Sequence, residues 1–231
     1  MNTQLPLAVQ LAPEFTLEDF IPGENAQLMD ALQRLALGKE KQNLYLSGPT
    51  ASGKSHLLMG LCASAQNDGL HCVYLPLKEI IPLSAELLQG MEDPDLLAID
   101  DVQVLAGKKD WEEALFVLFN LRQTHGRPMV FSADRGPARL PLNLPDLRSR
   151  LGWGASYRLH PLDEAGLGEL LRRQARQRGL EMDQAAIDWL LSRHSRAPRA
   201  LLEQLEALDR AALIAKKPRL TLPFVQQQLS P

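Results

Sequence analysis

Residues 48–55 read Gly-Pro-Thr-Ala-Ser-Gly-Lys-Ser and fit the pattern GxxxxGK[ST] at every defined position. A short apolar run, residues 44–46, comes just before them, and a stretch with helical spacing, residues 54–65, opens at the lysine. Glycines let such a loop wrap closely, so that its backbone N–H groups point at phosphate oxygens. The N-terminus of the following helix adds partial positive charge. The stretch therefore predicts a P-loop between a strand and a helix.

The P-loop pattern assigns a role to each of its defined residues. Gly48 and Gly53 allow the backbone to approach the phosphates, Lys54 reaches the β- and γ-phosphates, and Ser55 ligates Mg²⁺. We therefore expect the protein to bind a purine nucleotide, ADP or ATP, together with Mg²⁺.

Two acids, Asp100 and Asp101, end a second apolar run at residues 96–99. An apolar strand that ends in an acid is typical of a Walker B element. Asp100 is the candidate for holding Mg²⁺ through water, and Asp101 is the candidate for orienting an attacking water. Acids at the end of a strand also form solvated turns or helix caps. The P-loop upstream favours the metal site.

Apolar runs alternate with helical stretches from residue 43 to about residue 133, which predicts crossover units and a mostly parallel sheet. After Pro161 the chain is rich in Leu, Arg, Glu and Ala at helical spacing, which predicts a small all-helical domain. Prolines near the N-terminus favour a mobile tail. We therefore predict a flexible tail over 1–12, a nucleotide-binding α/β domain over 13–160 and a helical domain over 161–231.

The composition excludes several classes of protein. A formal net charge of -3 argues against a protein that mainly coats nucleic acid. The two cysteines, Cys62 and Cys72, form no zinc or disulfide pattern. The N-terminus lacks the features of a secretory signal, and no apolar stretch is long enough to span a bilayer. We therefore expect a cytoplasmic protein with no membrane partner.

Five segments together resemble the AAA+ core of the bacterial replication initiator DnaA family. They are FTLEDFIPGENAQL at 15–28, the P-loop, LLAIDDVQVLAGK at 96–108, FSADRGP at 131–137 and LPDLRSRLGWG at 144–154. The resemblance covers nearly the whole chain after residue 13 and implies an α/β AAA+ fold. Its implied features are a parallel sheet of strand order 5-1-4-3-2 and a helical lid that closes over the nucleotide.

The resemblance also implies roles for residues outside the P-loop and Walker B element. Asp134 matches the first sensor, Arg150 matches the arginine finger, and Arg199 matches the second sensor. The segment that contacts the adenine side is matched by Phe15, Phe20, Gly23 and Asn25. A guanidinium against the γ-phosphate stabilises the charge on its oxygens during transfer. Arg150 could instead belong to a solvated basic turn. The LGWG sequence that follows it favours the arginine finger.

The initiator continues into a helix-turn-helix DNA reader, whereas this sequence stops at Pro231, so we expect no sequence-specific DNA reading. The resemblance then implies a regulatory relative that docks on the sliding clamp of DNA polymerase III and stimulates hydrolysis of the ATP bound to DnaA. Such regulators carry a short QL-x-L peptide, which Gln4, Leu5 and Leu7 match. The amide anchors by hydrogen bonds and the leucines fill apolar pockets. Monomer and homodimer both stay open.

A self-sufficient AAA+ ATPase, such as a helicase loader or a replication assembly factor, is the main alternative. The complete P-loop and the Asp100–Asp101 pair keep it open, because a pure adaptor has no need to cleave its nucleotide. The sequence therefore leaves open whether the protein hydrolyses ATP by itself. A small-molecule kinase is disfavoured, because the helical domain after Pro161 has no role in it.

Overall fold

The computed structural model describes residues 16–229. The described residues up to His160 form one compact unit, and those from Pro161 form a second. The expected clamp peptide at Gln4, Leu5 and Leu7 lies outside the described residues, as do the tail over 1–12 and Phe15.

The first unit is built on a five-stranded parallel sheet. Its strands are β1 (Leu44–Ser47), β2 (Cys72–Pro76), β3 (Leu96–Asp100), β4 (Met129–Ala133) and β5 (Ala155–Arg158). Their spatial order is β2-β3-β4-β1-β5, which confirms the expected order 5-1-4-3-2 read from the opposite edge. Every residue of β3 and β4 is buried, as is usual for central strands of a parallel sheet that is covered on both faces.

Helices cover both faces of this sheet. They are α1 (Ala26–Ala36), α2 (Lys54–Asn67), the short α3 (Leu77–Ile80), α4 (Lys109–Thr124) and α5 (Pro145–Leu151). Single 3-10 turns lie at Leu17–Asp19, Gly23–Asn25, Ala85–Leu88, Val102–Leu105 and Pro137–Arg139. One apolar core forms between the sheet and α1 with α2, and a second forms between the sheet and α4 with α5. The two cores hold in place the strands whose ends carry the site residues.

The second unit is helical, as expected. Its helices are α6 (Glu164–Gln177), α7 (Gln184–Arg193), α8 (Pro198–Ala215) and α9 (Leu222–Leu229). Their leucines meet in a core of their own. A two-residue parallel pair, β6 (Glu181–Met182) with β7 (Arg219–Leu220), joins the helices. Strands this short carry no readable alternation, so the sequence did not predict them.

Cys62 on α2 and Cys72 on β2 are buried free thiols whose Sγ atoms lie 2.7 Å apart. Their mutual hydrogen bond and their burial raise the pKa of the Cys62 thiol well above its ordinary value. A thiol held protonated in this way is a poor nucleophile. The spacing of the two residues gave no sign of this proximity, because it arises from the packing of α2 on the sheet.

Across residues 16–229, every helix is either too short or too polar to span a lipid bilayer.

Candidate functional site

The P-loop connects the carboxyl end of β1 to the first residue of α2. Gly53 adopts a left-handed φ of 98°, and a Cβ there would lie 3.2 Å from the Phe20 ring. At Gly48 a Cβ would lie 2.9 Å from the Ser52 hydroxyl oxygen. The Gly48 N–H also donates to the carbonyl of Ala133 at 3.1 Å, which ties the loop to the end of β4. The conformation at Gly53 therefore favours glycine, and at Gly48 space is tight, since a Cβ would also lie 3.3 Å from the carbonyl oxygen of Leu159.

The Lys54 ammonium is buried and turned back onto its own loop. It donates to the carbonyls of Gly48 at 2.9 Å and Pro49 at 2.8 Å. Burial lowers the pKa of Lys54, and the charges of Asp101 and Asp100 oppose that shift. A positive charge thus sits inside the loop near the two acids at the end of β3, Asp100 and Asp101. Phosphate oxygens would replace the two carbonyls as its acceptors.

Asp100, the last residue of β3, is 3% exposed, and both of its carboxylate oxygens accept hydrogen bonds. The Tyr74 hydroxyl donates to Oδ2 at 2.7 Å, and the Ser132 hydroxyl donates to Oδ1. Asp100 and the Ser55 hydroxyl are hard oxygen donors of the kind that Mg²⁺ takes beside the phosphates of a nucleotide. Over residues 16–229 there is no cluster of three or more acidic, His or Cys side chains suited to a metal ion. Asp100 and Ser55 are the two residues of the site that would hold the ion.

Asp101 and Asp134 are linked by a side chain that the sequence reasoning missed. Asp101 adopts a left-handed φ of 60°, and its carboxylate accepts from the Gln103 amide at 2.8 Å. The carbonyl oxygen of the same Gln103 side chain accepts from the backbone N–H of Asp134 at 3.3 Å. Ser132 adds a second link, because its hydroxyl accepts from the Asp101 N–H at 3.0 Å. The ends of β3 and β4 are therefore held together next to the P-loop.

The Asp134 carboxylate is held by its neighbour. Arg135 donates to both of its oxygens, at 2.9 Å and 2.8 Å. These hydrogen bonds lower the pKa of Asp134, and the Arg135 and Lys54 charges add to the effect. Asp134 is therefore ionised at neutral pH at the edge where the phosphates are expected.

Phe20 and Asn25 lie in the segment expected to face the adenine. The Phe20 ring lies beside the P-loop, with its centroid 6.2 Å from that of the His56 ring. The Asn25 side chain is buried and binds backbone: it donates to the carbonyls of Pro22 and His160, both at 3.0 Å, and accepts from the His160 N–H at 2.8 Å. Asn25 thus fixes its turn, where Gly23 has φ 48°, to the end of the first unit. The contact of this segment with an adenine stays a prediction.

Arg150 lies near the end of α5, and its guanidinium carbon is 3.9 Å from the ring centroid of the half-exposed Trp153. Within the described part of the chain it forms no ion pair or side-chain hydrogen bond. Residue 155 of β5 pairs with Leu44, the first residue of β1, so this turn lies at the amino edge of the sheet. The P-loop lies at the carboxyl edge, roughly 13 Å away along a four-residue strand. Arg150 is therefore remote from the P-loop of its own chain.

The turn that holds Arg150 depends on Gly154. Its φ is 111°, and a Cβ there would lie 2.1 Å from the carbonyl oxygen of Asn43. That carbonyl accepts from the N–H of Ala155 at 3.1 Å, which starts the pairing of β5 with β1. The second glycine of LGWG is thus required by the close approach of two backbones.

Arg199 belongs to the second unit and lies on α8. Its side chain is 87% exposed and pairs with Glu203, one turn along the helix, at 3.1 Å. An exposed pair at this spacing holds its partners weakly, so the guanidinium can exchange this carboxylate for another anion.

Glu112 on α4 is a further residue that the sequence reasoning missed. It is 1% exposed, and its carboxylate accepts from the backbone N–H groups of Gly107, Asn143 and Leu144. It thus joins the loop after the Walker B acids to the start of α5. Nothing in its local sequence separates it from the exposed Glu113 beside it.

Two family models match the chain. Residues 11–158 match the bacterial DnaA ATPase domain, and residues 163–229 match the Hda lid domain. The two matched segments divide near the boundary between the two compact units.

Solved structures of several other proteins share the fold. Domain III of the replication initiation protein DnaA from Thermotoga maritima matches with a TM-score of 0.80 at 24% identity, over 94% of this chain and 96% of that chain. AMPPCP-bound DnaA from Aquifex aeolicus gives 0.72 at 24% identity, over 85% and 65%. The Holliday junction branch migration motor RuvB from Thermotoga maritima gives 0.68 at 23% identity, over 95% and 72%.

The match to the DnaA ATPase domain spans well over half of the chain, and the strand order and P-loop geometry agree with it. The chain therefore belongs to the bacterial DnaA family of AAA+ proteins, and its C-terminal unit is a lid of the Hda type.

Proposed function

We propose that this protein is a regulator of replication initiation that holds ADP or ATP with Mg²⁺ in its P-loop and presents Arg150 to the ATP bound by the initiator DnaA. The observation that carries the proposal is the position of Arg150. Its guanidinium is free of acidic partners among the described residues and lies at the sheet edge opposite to its own P-loop. This position supports a role at the nucleotide of another molecule, because the P-loop of the same chain lies at the other edge of the sheet.

The nucleotide part rests on the carboxyl edge of the sheet. Lys54, Ser55 and Asp100 supply a cation, a hydroxyl and a carboxylate at the place where the P-loop amides converge. The similar fold of Aquifex aeolicus DnaA binds AMPPCP, which supports a nucleotide in the same loop here. Lys54→Ala should abolish tight binding of ADP and ATP, whereas Lys41→Ala, which removes an exposed lysine of the same unit, should not. If the Lys54→Ala variant bound ADP and ATP with unchanged affinity, the assignment of the P-loop as the nucleotide site would be wrong.

The initiator and the sliding clamp are the proposed partners. The DnaA-family fold supports a partner of the same family, because AAA+ arginine fingers act across an interface between similar domains. The QL-x-L peptide at Gln4, Leu5 and Leu7 supports the clamp, since an amide and two leucines are the groups that such a peptide offers to an apolar groove. With these partners the protein would act in the bacterial cytoplasm as a negative regulator of initiation.

The decisive experiment measures hydrolysis of DnaA-bound ATP in the presence of this protein, the clamp and DNA. Arg150→Ala should reduce the stimulated rate by orders of magnitude, since a supplied arginine is worth about 10³ to 10⁵ in rate in GTPases. Arg150→Lys should rescue poorly, because an ammonium does not form the planar two-pronged contact. Arg139→Ala removes an exposed arginine from a nearby turn and is the matched control.

Two further measurements interpret that result. The Arg150→Ala variant should nearly keep its melting temperature and keep its clamp affinity, because Arg150 forms no ion pair within the described residues and its contact with the exposed Trp153 ring is worth only about 0.5–1 kcal/mol. Replacing Gln4 and Leu5 by alanine should remove clamp binding and leave the melting temperature unchanged. A folded, clamp-binding Arg150→Ala protein that still drives full hydrolysis would refute the proposal.

A self-sufficient ATPase is the second candidate, and one observation favours it. The Asp101 carboxylate is oriented by Gln103 beside the P-loop, as a residue that positions a water would be. This candidate predicts hydrolysis by the protein alone, which Asp101→Asn abolishes and Arg150→Ala leaves unchanged. If the protein is a regulator, hydrolysis of the ATP bound to DnaA should instead depend on Arg150 and be unaffected by Asp101→Asn.

A further inference from the structure

Tyr74 lies on β2, the strand beside β3, and its half-buried hydroxyl donates to Asp100 at 2.7 Å. Burial and the charge of Asp100 raise the pKa of Tyr74, so the phenol is a permanent donor at neutral pH. The phenol therefore occupies one oxygen of the carboxylate that the Walker B element assigns to Mg²⁺.

Each oxygen of the Asp100 carboxylate accepts a hydrogen bond from a hydroxyl. One carboxylate oxygen accepts from Tyr74 and the other from Ser132, and the residue is 3% exposed. A buried carboxylate without donors would be costly, so these two hydroxyls stabilise the charged form. A cation that binds Asp100 through water competes with the phenol for this carboxylate.

We propose that the Tyr74 hydroxyl competes with Mg²⁺ for the Asp100 carboxylate. Both oxygens of that carboxylate accept hydrogen bonds, so a cation or its bound water must displace one of the two donors, and Tyr74 is the less buried of them. Tyr74 is thus a positioning residue that acts through Asp100 and sets the magnesium dependence of nucleotide binding. This inference rests on the proposed nucleotide site, because Ser55 and Asp100 are its metal-binding residues.

The hydrogen bond that the cation must break determines the expected effect of Tyr74→Phe. The variant keeps the ring and its packing but removes the donor, so the metal-free state loses a hydrogen bond to a charged group. Net contributions of such bonds correspond to at least about a tenfold change in an equilibrium constant. Tyr74→Phe should therefore lower the Mg²⁺ concentration needed for half-maximal tightening of ADP binding by about tenfold. ADP affinity in EDTA should stay unchanged.

The test is a calorimetric titration of ADP into the full-length protein in EDTA and over a series of MgCl₂ concentrations. Tyr45→Phe is the matched control, because it removes another buried phenol that donates at 2.8 Å to a backbone carbonyl, that of Arg135. The control should keep the magnesium midpoint of the unmutated protein. Tyr74→Met, which also lacks the donor, must reproduce the shift if the Phe variant is poorly folded.

An unchanged or raised magnesium midpoint in a folded Tyr74→Phe protein overturns the inference, even if its melting temperature falls. A tenfold lower midpoint with an unchanged affinity in EDTA supports it. If the unmutated protein binds no ADP at any Mg²⁺ concentration, the proposed nucleotide site fails first, and the inference fails with it. The two failures are thus distinguished by the unmutated protein alone.

Discussion

Glu112→Gln is expected to loosen the helix that carries Arg150. The buried Glu112 carboxylate accepts from Gly107 at 3.1 Å and from Asn143 at 3.2 Å through Oε1, and from Leu144 at 2.7 Å through Oε2. The last two donors immediately precede α5, whose first residue is a proline without an N–H. The carboxylate is therefore the main acceptor for the backbone at the start of that helix.

The size of the loss in free energy of unfolding follows from the number of acceptor oxygens that remain when the Glu112 carboxylate becomes an amide. Glutamine keeps one oxygen, which can serve the two donors at Oε1, while its NH₂ group then faces the Leu144 N–H. One hydrogen bond to a charged group is lost, at about 1.5–3 kcal/mol, and one buried donor is left without an acceptor. We expect a loss of about 3 kcal/mol in the free energy of unfolding of the first unit. Glu112→Ala should cost more, because all three donors lose their acceptor.

Urea unfolding followed by tryptophan fluorescence measures the loss, and amide hydrogen exchange locates it. Exchange should accelerate at Asn143 and Leu144, and ADP affinity should stay unchanged. Glu113→Gln is the control, since Glu113 is exposed and pairs with Lys109 at 3.7 Å, a contact worth at most about 1 kcal/mol. If Glu112→Gln costs no more than Glu113→Gln, the carboxylate does not hold the start of α5 and the reasoning is wrong.

Gly154→Ala should lower the midpoint of thermal unfolding by about 10 °C, because its Cβ would lie 2.1 Å from a backbone carbonyl; a differential scan measures it. Burial lowers the pKa of His56, with the charge of Asp19 opposing. The contribution of the neutral His56 to the free energy of unfolding is therefore fully present above its unfolded pKa of about 6.5. It is lost as the pH falls below that value. His56→Gln should flatten that slope in urea titrations, and His125→Gln should not. Gly60→Ala should stabilise by less than the ~1 kcal/mol of helix propensity, because its Cβ would lie 3.1 Å from a neighbouring backbone; a full gain in urea would contradict this contact.

The parts of the site that could be predicted from the sequence are those whose chemistry is contiguous. The eight residues of the P-loop form one turn, and Asp100 with Asp101 ends one strand, so spacing alone identifies them. Parallel strands bring their carboxyl ends to one edge, which places Asp134 beside the acids of β3. The strand order came from the DnaA resemblance and was confirmed. The roles assigned to Arg150, Arg199 and the N-terminal peptide stay predictions.

The residues that were missed act on partners far away in sequence. Tyr74 donates to a carboxylate 26 residues away, and Glu112 accepts from an N–H 32 residues away. Locally, Tyr74 is an ordinary aromatic residue of a strand, and Glu112 is one of two adjacent acids at the start of a helix. Only the packing of α4 buries Glu112 and leaves Glu113 in solvent. Residue type and spacing do not indicate which of these two adjacent acids is buried.

The position of Glu112 connects the two edges of the sheet that the proposed function uses. Glu112 contacts Gly107, in the loop that follows the Walker B acids, and the two residues that precede α5. α5 then runs for seven residues, about 10 Å, toward the amino edge, where Arg150 stacks on Trp153. A shift at the start of this short helix is therefore transmitted to Arg150 as a movement of the whole helix. Loss of stimulated hydrolysis in Glu112→Gln with unchanged ADP affinity would mean that the arginine is displaced while the nucleotide site stays intact.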